Sequence, residues 1–171
     1  MPGVVMQYFA LLAALTLATP AAAQLPEDAC YALQMTPADL AARPERGVRA
    51  LYVHFIALTD LDASNKGPWR HLRISALMAA QGQGLRDGAA GALLTQVAEC
   101  RTEQQGECWA YDDASMLSLT VHDGQTLELR TQDFIVADFG ESMMASNLAE
   151  TIGRESIYTL TRLNNGPCPV E

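Results

Sequence analysis

Apolar and polar residues alternate along much of this chain with the period of two that marks β-strands. In Trp69–Met78, the side chains of Leu72, Ile74, Ala76 and Met78 fall on one face, and His71, Arg73 and Ser75 on the other. Leu117, Leu119 and Val121 repeat the pattern, and Leu127 and Leu129 resume it beyond the turn signal Asp123-Gly124. A two-residue loop there would set Leu119 opposite Glu128. A three-residue loop, His122-Asp123-Gly124, pairs Leu117 with Leu129 and Leu119 with Leu127. Since a one-residue slip moves every side chain to the other face, burial selects the longer loop and makes His122 an exposed turn residue.

Residues 49–59 are rich in β-branched and aromatic side chains on both faces, as in a strand covered on two sides, and form a long-looped hairpin with Trp69–Met78. Further strands are expected at 92–100, 108–111, 134–139 and 156–163. Residues 24–35 read as a lead-in, and 81–91, with four glycines, as an exposed loop. Thr36-Pro37-Ala38-Asp39 has the cap, the first-turn proline and the acidic residue of a helix start, which Arg43-Pro44 ends. A second short helix is expected over 142–152, capped by Ser142 and stopped by Gly153. The expected fold is mainly β, a small antiparallel barrel or sandwich of seven to eight strands with one or two short helices. The alternative is α+β, if the glycine-rich loop or the Met143 region is more helical.

One apolar segment does not alternate. Residues 4–18 are almost wholly apolar, broken at Thr16, and Thr19-Pro20 leads into Ala21-Ala22-Ala23. This is the pattern of a cleavable secretory signal over residues 1–23, too interrupted to span a bilayer, although no Lys or Arg precedes Arg43. Its removal leaves a single domain, 24–171, of 148 residues, enough for a substantial core. No later stretch reaches spanning length, so no membrane insertion is expected after cleavage.

An exported chain lets its four cysteines pair. The preferred pairing joins Cys100 to Cys108 across a short polar loop and Cys30 to Cys168 near the two ends of the domain. The rival, Cys30–Cys100 with Cys108–Cys168, rests on a faint likeness between Cys30-Tyr31-Ala32 and Cys108-Trp109-Ala110. The net charge of −9, with only eleven scattered Lys and Arg, argues against nucleic acid and anionic lipid as partners.

The search for chemistry yields few candidates. Asp60, Asp62 and Ser64 begin like a calcium loop, but the position needing Gly holds Asn65 and the position needing a bidentate Glu holds His71. His54 and His71 lie on neighbouring expected strands with Asp60 and Asp62 nearby, an arrangement open to acid/base or metal work. The adjacent Asp112 and Asp113 point to opposite faces of a strand and make no carboxylate pair. No serine-hydrolase, zinc or phosphate-loop motif occurs, so no catalytic residue, cofactor or metal ligand set is assigned. Trp69, Trp109, Tyr111, Phe134 and Phe139 would line a ligand cavity if the sheet closes, and Met143-Met144 forms an apolar spot.

These features lead to an exported, periplasmic or secreted, non-enzymatic binding or accessory protein acting through surface loops on an unidentified protein or small ligand. The alternatives are a barrel carrying a small ligand, an inhibitor of a cationic exported enzyme such as a lysozyme, and a small hydrolase with a dispersed site.

Overall fold

The computed structural model describes residues 24–26, 28–56, 69–101, 106–110, 115–138, 140, 143–163 and 168–169. The expected signal segment, Asp60, Asp62, Asp112, Asp113, Tyr111, Phe139 and Ser142 lie outside them. In chain order the elements are β1 (Ala29–Gln34), α1 (Pro37–Ala41), β2 (Val48–Ile56), β3 (Trp69–Met78), α2 (Gly82–Arg86) and β4 (Leu93–Arg101). There follow β5 (Glu107–Ala110), β6 (Met116–His122), β7 (Thr126–Asp133), β8 (Ile135–Ala137), β9 (Ala145–Asn147) and β10 (Ser156–Arg162). Eight of these strands run in the order β3-β2-β1-β10-β7-β6-β5-β4, and a β3–β4 pairing closes them into an antiparallel barrel. The β8–β9 hairpin hangs on β4 through Thr95 and Ala137. Among the described residues, the β3–β4 pairing gives every one of the eight strands a neighbour on both sides.

The interior is filled by the alternating apolar faces. Tyr31, Leu51, Val53, Phe55, Leu72, Ile74, Leu94, Leu119, Leu127, Leu129 and Leu160 are buried in one cluster, with the Tyr31 and Phe55 rings edge-to-face at 6.0 Å. Each such side chain contributes about 1.5–3 kcal/mol by leaving water. A smaller cluster on the outside joins Cys30, Ala32, Ala50 and Tyr52 to Cys168. Both preferred disulfides are present, Cys30–Cys168 and Cys100–Cys108, and the rival pairing is not. Such bridges fit an oxidising, non-cytoplasmic compartment. Among the described residues no helix is long and apolar enough to cross a membrane.

Four local expectations need correction. Residues 24–35 are more than a lead-in, because β1 stands between β2 and β10. It is buried on both faces, Tyr31 inward and Cys30 outward, so periodicity gave no alternation to read. The glycine-rich segment 81–91 is not an exposed loop. There α2 closes one end of the barrel, with the Gln83 side chain wholly buried, accepting from Gly47 N–H and donating to Leu148 O and Tyr158 Oη. Gly47 is required by this approach, since a Cβ on it would stand 2.3 Å from Gly84 N. The helix expected over 142–152 is absent among the described residues, where β9 and a series of bends replace it. Asp87 holds β9 in place, accepting from Ser146 Oγ at 2.8 Å and Asn147 N–H at 3.2 Å. Burial raises the Asp87 pKa, but bonds from Arg86, Ser146 and Asn147 outweigh that and hold it below the ordinary carboxylate value.

The fourth correction concerns register. Leu119 faces Leu129, Val121 faces Leu127, and Leu117 faces Thr131, so the three-residue loop is Asp123-Gly124-Gln125 and His122 ends β6. Asp123 and Gly124 both have positive φ, and Asp123 Oδ1 accepts from the N–H groups of Gln125 and Thr126. The inward leucine faces are kept because the loop remains odd in length.

Candidate functional site

Three strands, β3, β4 and β5, carry a cluster of aromatic and charged side chains on the outer wall. Its register follows from the backbone pairing. Cys100 stands opposite Cys108 with both sulfurs inward, and the residues beside them, Glu99 and Trp109, therefore pair outward. On the other side of β4, Glu99 faces His71 and Arg101 faces Trp69. Trp69 and Trp109 meet edge-to-face with centroids 6.3 Å apart and planes at 69°. The Arg101 guanidinium lies 4.8 Å from the Trp69 ring and 5.4 Å from the Trp109 ring. Such cation–π contacts hold both indoles and the guanidinium in a fixed arrangement while leaving part of each in water. An open depression of about 470 Å³ is lined by Trp69, Glu99, Arg101, Trp109 and Ala110.

The Cys100–Cys108 bridge is the physical support for this cluster. It clamps β4 to the four-residue β5 from the inside, with Cα atoms 4.0 Å apart, directly beneath Glu99, Arg101 and Trp109. Trp69 and Trp109 thus do not line an internal cavity. They point away from the barrel axis, whereas Phe134 is buried in the core.

His54 and His71 share the outer face of β2 and β3 but are two residues out of register, His54 facing Arg73 and His71 facing Ile56. Each meets a different carboxylate. His71 Nδ1 lies 3.4 Å from Glu99 Oε1, and His54 Nε2 lies 3.8 Å from Asp28 Oδ1. Among the described residues no three His, Cys, Asp or Glu side chains converge as a metal site. Met143 is 75 % exposed with positive φ, while its neighbour Met144 packs against the core, so the pair is no common apolar face.

Sequence reading named His71 but missed Glu99 and Arg101. One signal was present: once Cys100 and Cys108 are taken as a cross-strand pair, alternation places Glu99 beside Trp109. The Trp69–Arg101 contact had no such signal, because it depends on the β3–β4 closure. No protein-family model, no curated protein and no solved structure matches this chain.

Proposed function

We propose that the chain is an exported, non-enzymatic binding or accessory protein that engages its partner through the outer wall of β3, β4 and β5. The observation that carries this reading is the placement of Trp69, Trp109 and Arg101 together, partly exposed, on the outside of a rigid sheet. Trp and Arg are among the residue types that most often dominate binding energy at protein interfaces, Trp through its large rigid ring and Arg through its planar guanidinium with several donors. Two disulfides favour a working life outside the cytoplasm, in keeping with the secretory pattern of residues 1–23. The filled interior weighs against a carrier whose ligand sits inside the barrel. The His71–Glu99 pair lies on an open wall that gives a reacting group little protection from water, which weighs against a hydrolase.

Capture of partners from a periplasmic extract tests the reading. Immobilised protein should retain a polypeptide that the Trp69→Ala/Trp109→Ala variant, shown to be folded by circular dichroism, releases. Equal retention by both would place the binding surface elsewhere.

A further inference from the structure

The aromatic cluster continues into a second depression. Met116 on β6 faces Trp109 on one side and Asp133 on the other, so Glu99, Trp109, Met116 and Asp133 form one row across four neighbouring strands. At about 4.8 Å per strand this row is about 14 Å long. Met116 is 49 % exposed, an apolar side chain standing in the open middle of the row. Beyond it lies an open depression of about 430 Å³, lined among others by Glu107, Met116, Arg130, Asp133 and Glu155.

The charge of this surface is one-sided. The linings of the two depressions hold four carboxylates, Glu99, Glu107, Asp133 and Glu155, against two guanidiniums, Arg101 and Arg130. Both guanidiniums are already engaged. Arg101 stacks on the indoles, and Arg130 bonds Glu128 at 2.7 Å and Glu155 at 3.0 Å. Asp133 accepts from the neutral Asn147 amide at 2.6 Å, which leaves its charge uncompensated by that bond. The whole chain carries −9. An acidic field around an exposed thioether and two indoles attracts a ligand that is both basic and apolar, and repels an acidic one.

We propose that this wall binds a cationic, amphipathic polypeptide segment, with an apolar side chain against Met116 and Trp109 and basic side chains toward Glu107 and Asp133. The inference rests on the outer-wall reading above and adds the chemistry of the partner. Met suits such contact because its flexible, polarisable side chain adapts to differently shaped anchors. Long-range attraction sets the approach, and the anchor row sets the fit.

The chain provides its own reporter, since Trp69 and Trp109 are its only two tryptophans and both lie in the site. Titration of the full chain with a short amphipathic Leu/Lys peptide should give a saturable change in tryptophan emission. Affinity should fall by about tenfold or more when NaCl is raised from about 50 to about 500 mM, since surface charges are then screened within about 5 Å. Glu107→Lys and Met116→Ser, each with a native near-ultraviolet spectrum, should weaken binding by about tenfold, a loss of about 1.4 kcal/mol. A Leu/Glu peptide of equal length should leave the emission unchanged. Absence of a response to Leu/Lys, an equal response to Leu/Glu, or unchanged affinity in both variants would overturn the proposal. So would a response to chitotetraose in place of the peptide, which would make the wall a saccharide site. If the peptide fails while the tryptophan variant still loses its captured partner, the wall remains the binding surface and only its cationic ligand is wrong.

Discussion

Tyr158 shows how much one side chain can carry. Its ring lies beneath the Arg46 guanidinium at 4.5 Å, its hydroxyl donates to Leu148 O at 2.5 Å, and Gln83 Nε2 donates to that hydroxyl at 3.0 Å. Arg46 in turn is paired with Glu150 and donates to Ile157 O at 2.9 Å. These bonds satisfy buried polar groups at the end of the barrel that α2 closes. Burial pushes the Tyr158 hydroxyl above its ordinary value of 10.0, with the Arg46 charge opposing in part. The folded chain therefore keeps its proton at pH values where the unfolded chain loses it. Stability from this group is complete below pH 10 and declines as pH rises further, by up to about 1.4 kcal/mol per pH unit. Urea midpoints measured from pH 9 to 11 should fall in the wild type and fall less steeply in Tyr158→Phe. The variant should also be weaker by about 1–2 kcal/mol at pH 8, because Leu148 O loses a donor. None of this is visible in the sequence, which places Tyr158 only within an expected strand, 156–163, and Gln83 within an expected loop, 81–91.

At the scale of elements, legibility followed length and exposure. β3 and the β6–β7 hairpin alternate over seven or more residues against solvent, and their faces were correctly read. β1 is covered on both sides and α2 has only five residues, too short for a helical period, so neither left a pattern. The loop position in the β6–β7 hairpin was misplaced by one because an odd loop of either placement keeps the leucines inward. Gly106 governs the entry to β5. It has φ +80°, its carbonyl accepts from Leu119 N–H at 2.9 Å, and a Cβ there would stand 2.1 Å from Leu119 O. Gly106→Ala should therefore cost about 2 kcal/mol or more, through the left-handed backbone and the displacement of β6. Chemical denaturation measures the loss, and a change in tryptophan emission should accompany it because Trp109 sits three residues further on, within β5.

For the whole molecule, the two disulfides do unequal work. Cys30–Cys168 closes a separation of 138 residues and Cys100–Cys108 one of 8. Chain entropy assigns about 5 kcal/mol to the first and about 2.5 kcal/mol to the second. Cys30→Ala/Cys168→Ala should lower the unfolding free energy by about twice as much as Cys100→Ala/Cys108→Ala. The second variant should be the one that disturbs tryptophan emission, since its bridge lies beneath Trp109. A urea titration followed by far-ultraviolet circular dichroism and by fluorescence separates these outcomes. By itself the sequence determined the β class, the inward leucine faces and the capped first helix, which Thr36 and Asp39 close reciprocally, and it favoured the cysteine pairing that the structure then decided over its rival. These are local or pairwise properties, written in the period of two and in the spacing of cysteines. Only the tertiary structure decided that the sheet closes, that α2 fills one end, and that Trp69, Arg101, Glu99 and Trp109 share one outer wall. Those facts depend on which strands meet across the barrel, and residues as far apart as Trp69 and Arg101 become neighbours only when β3 pairs with β4.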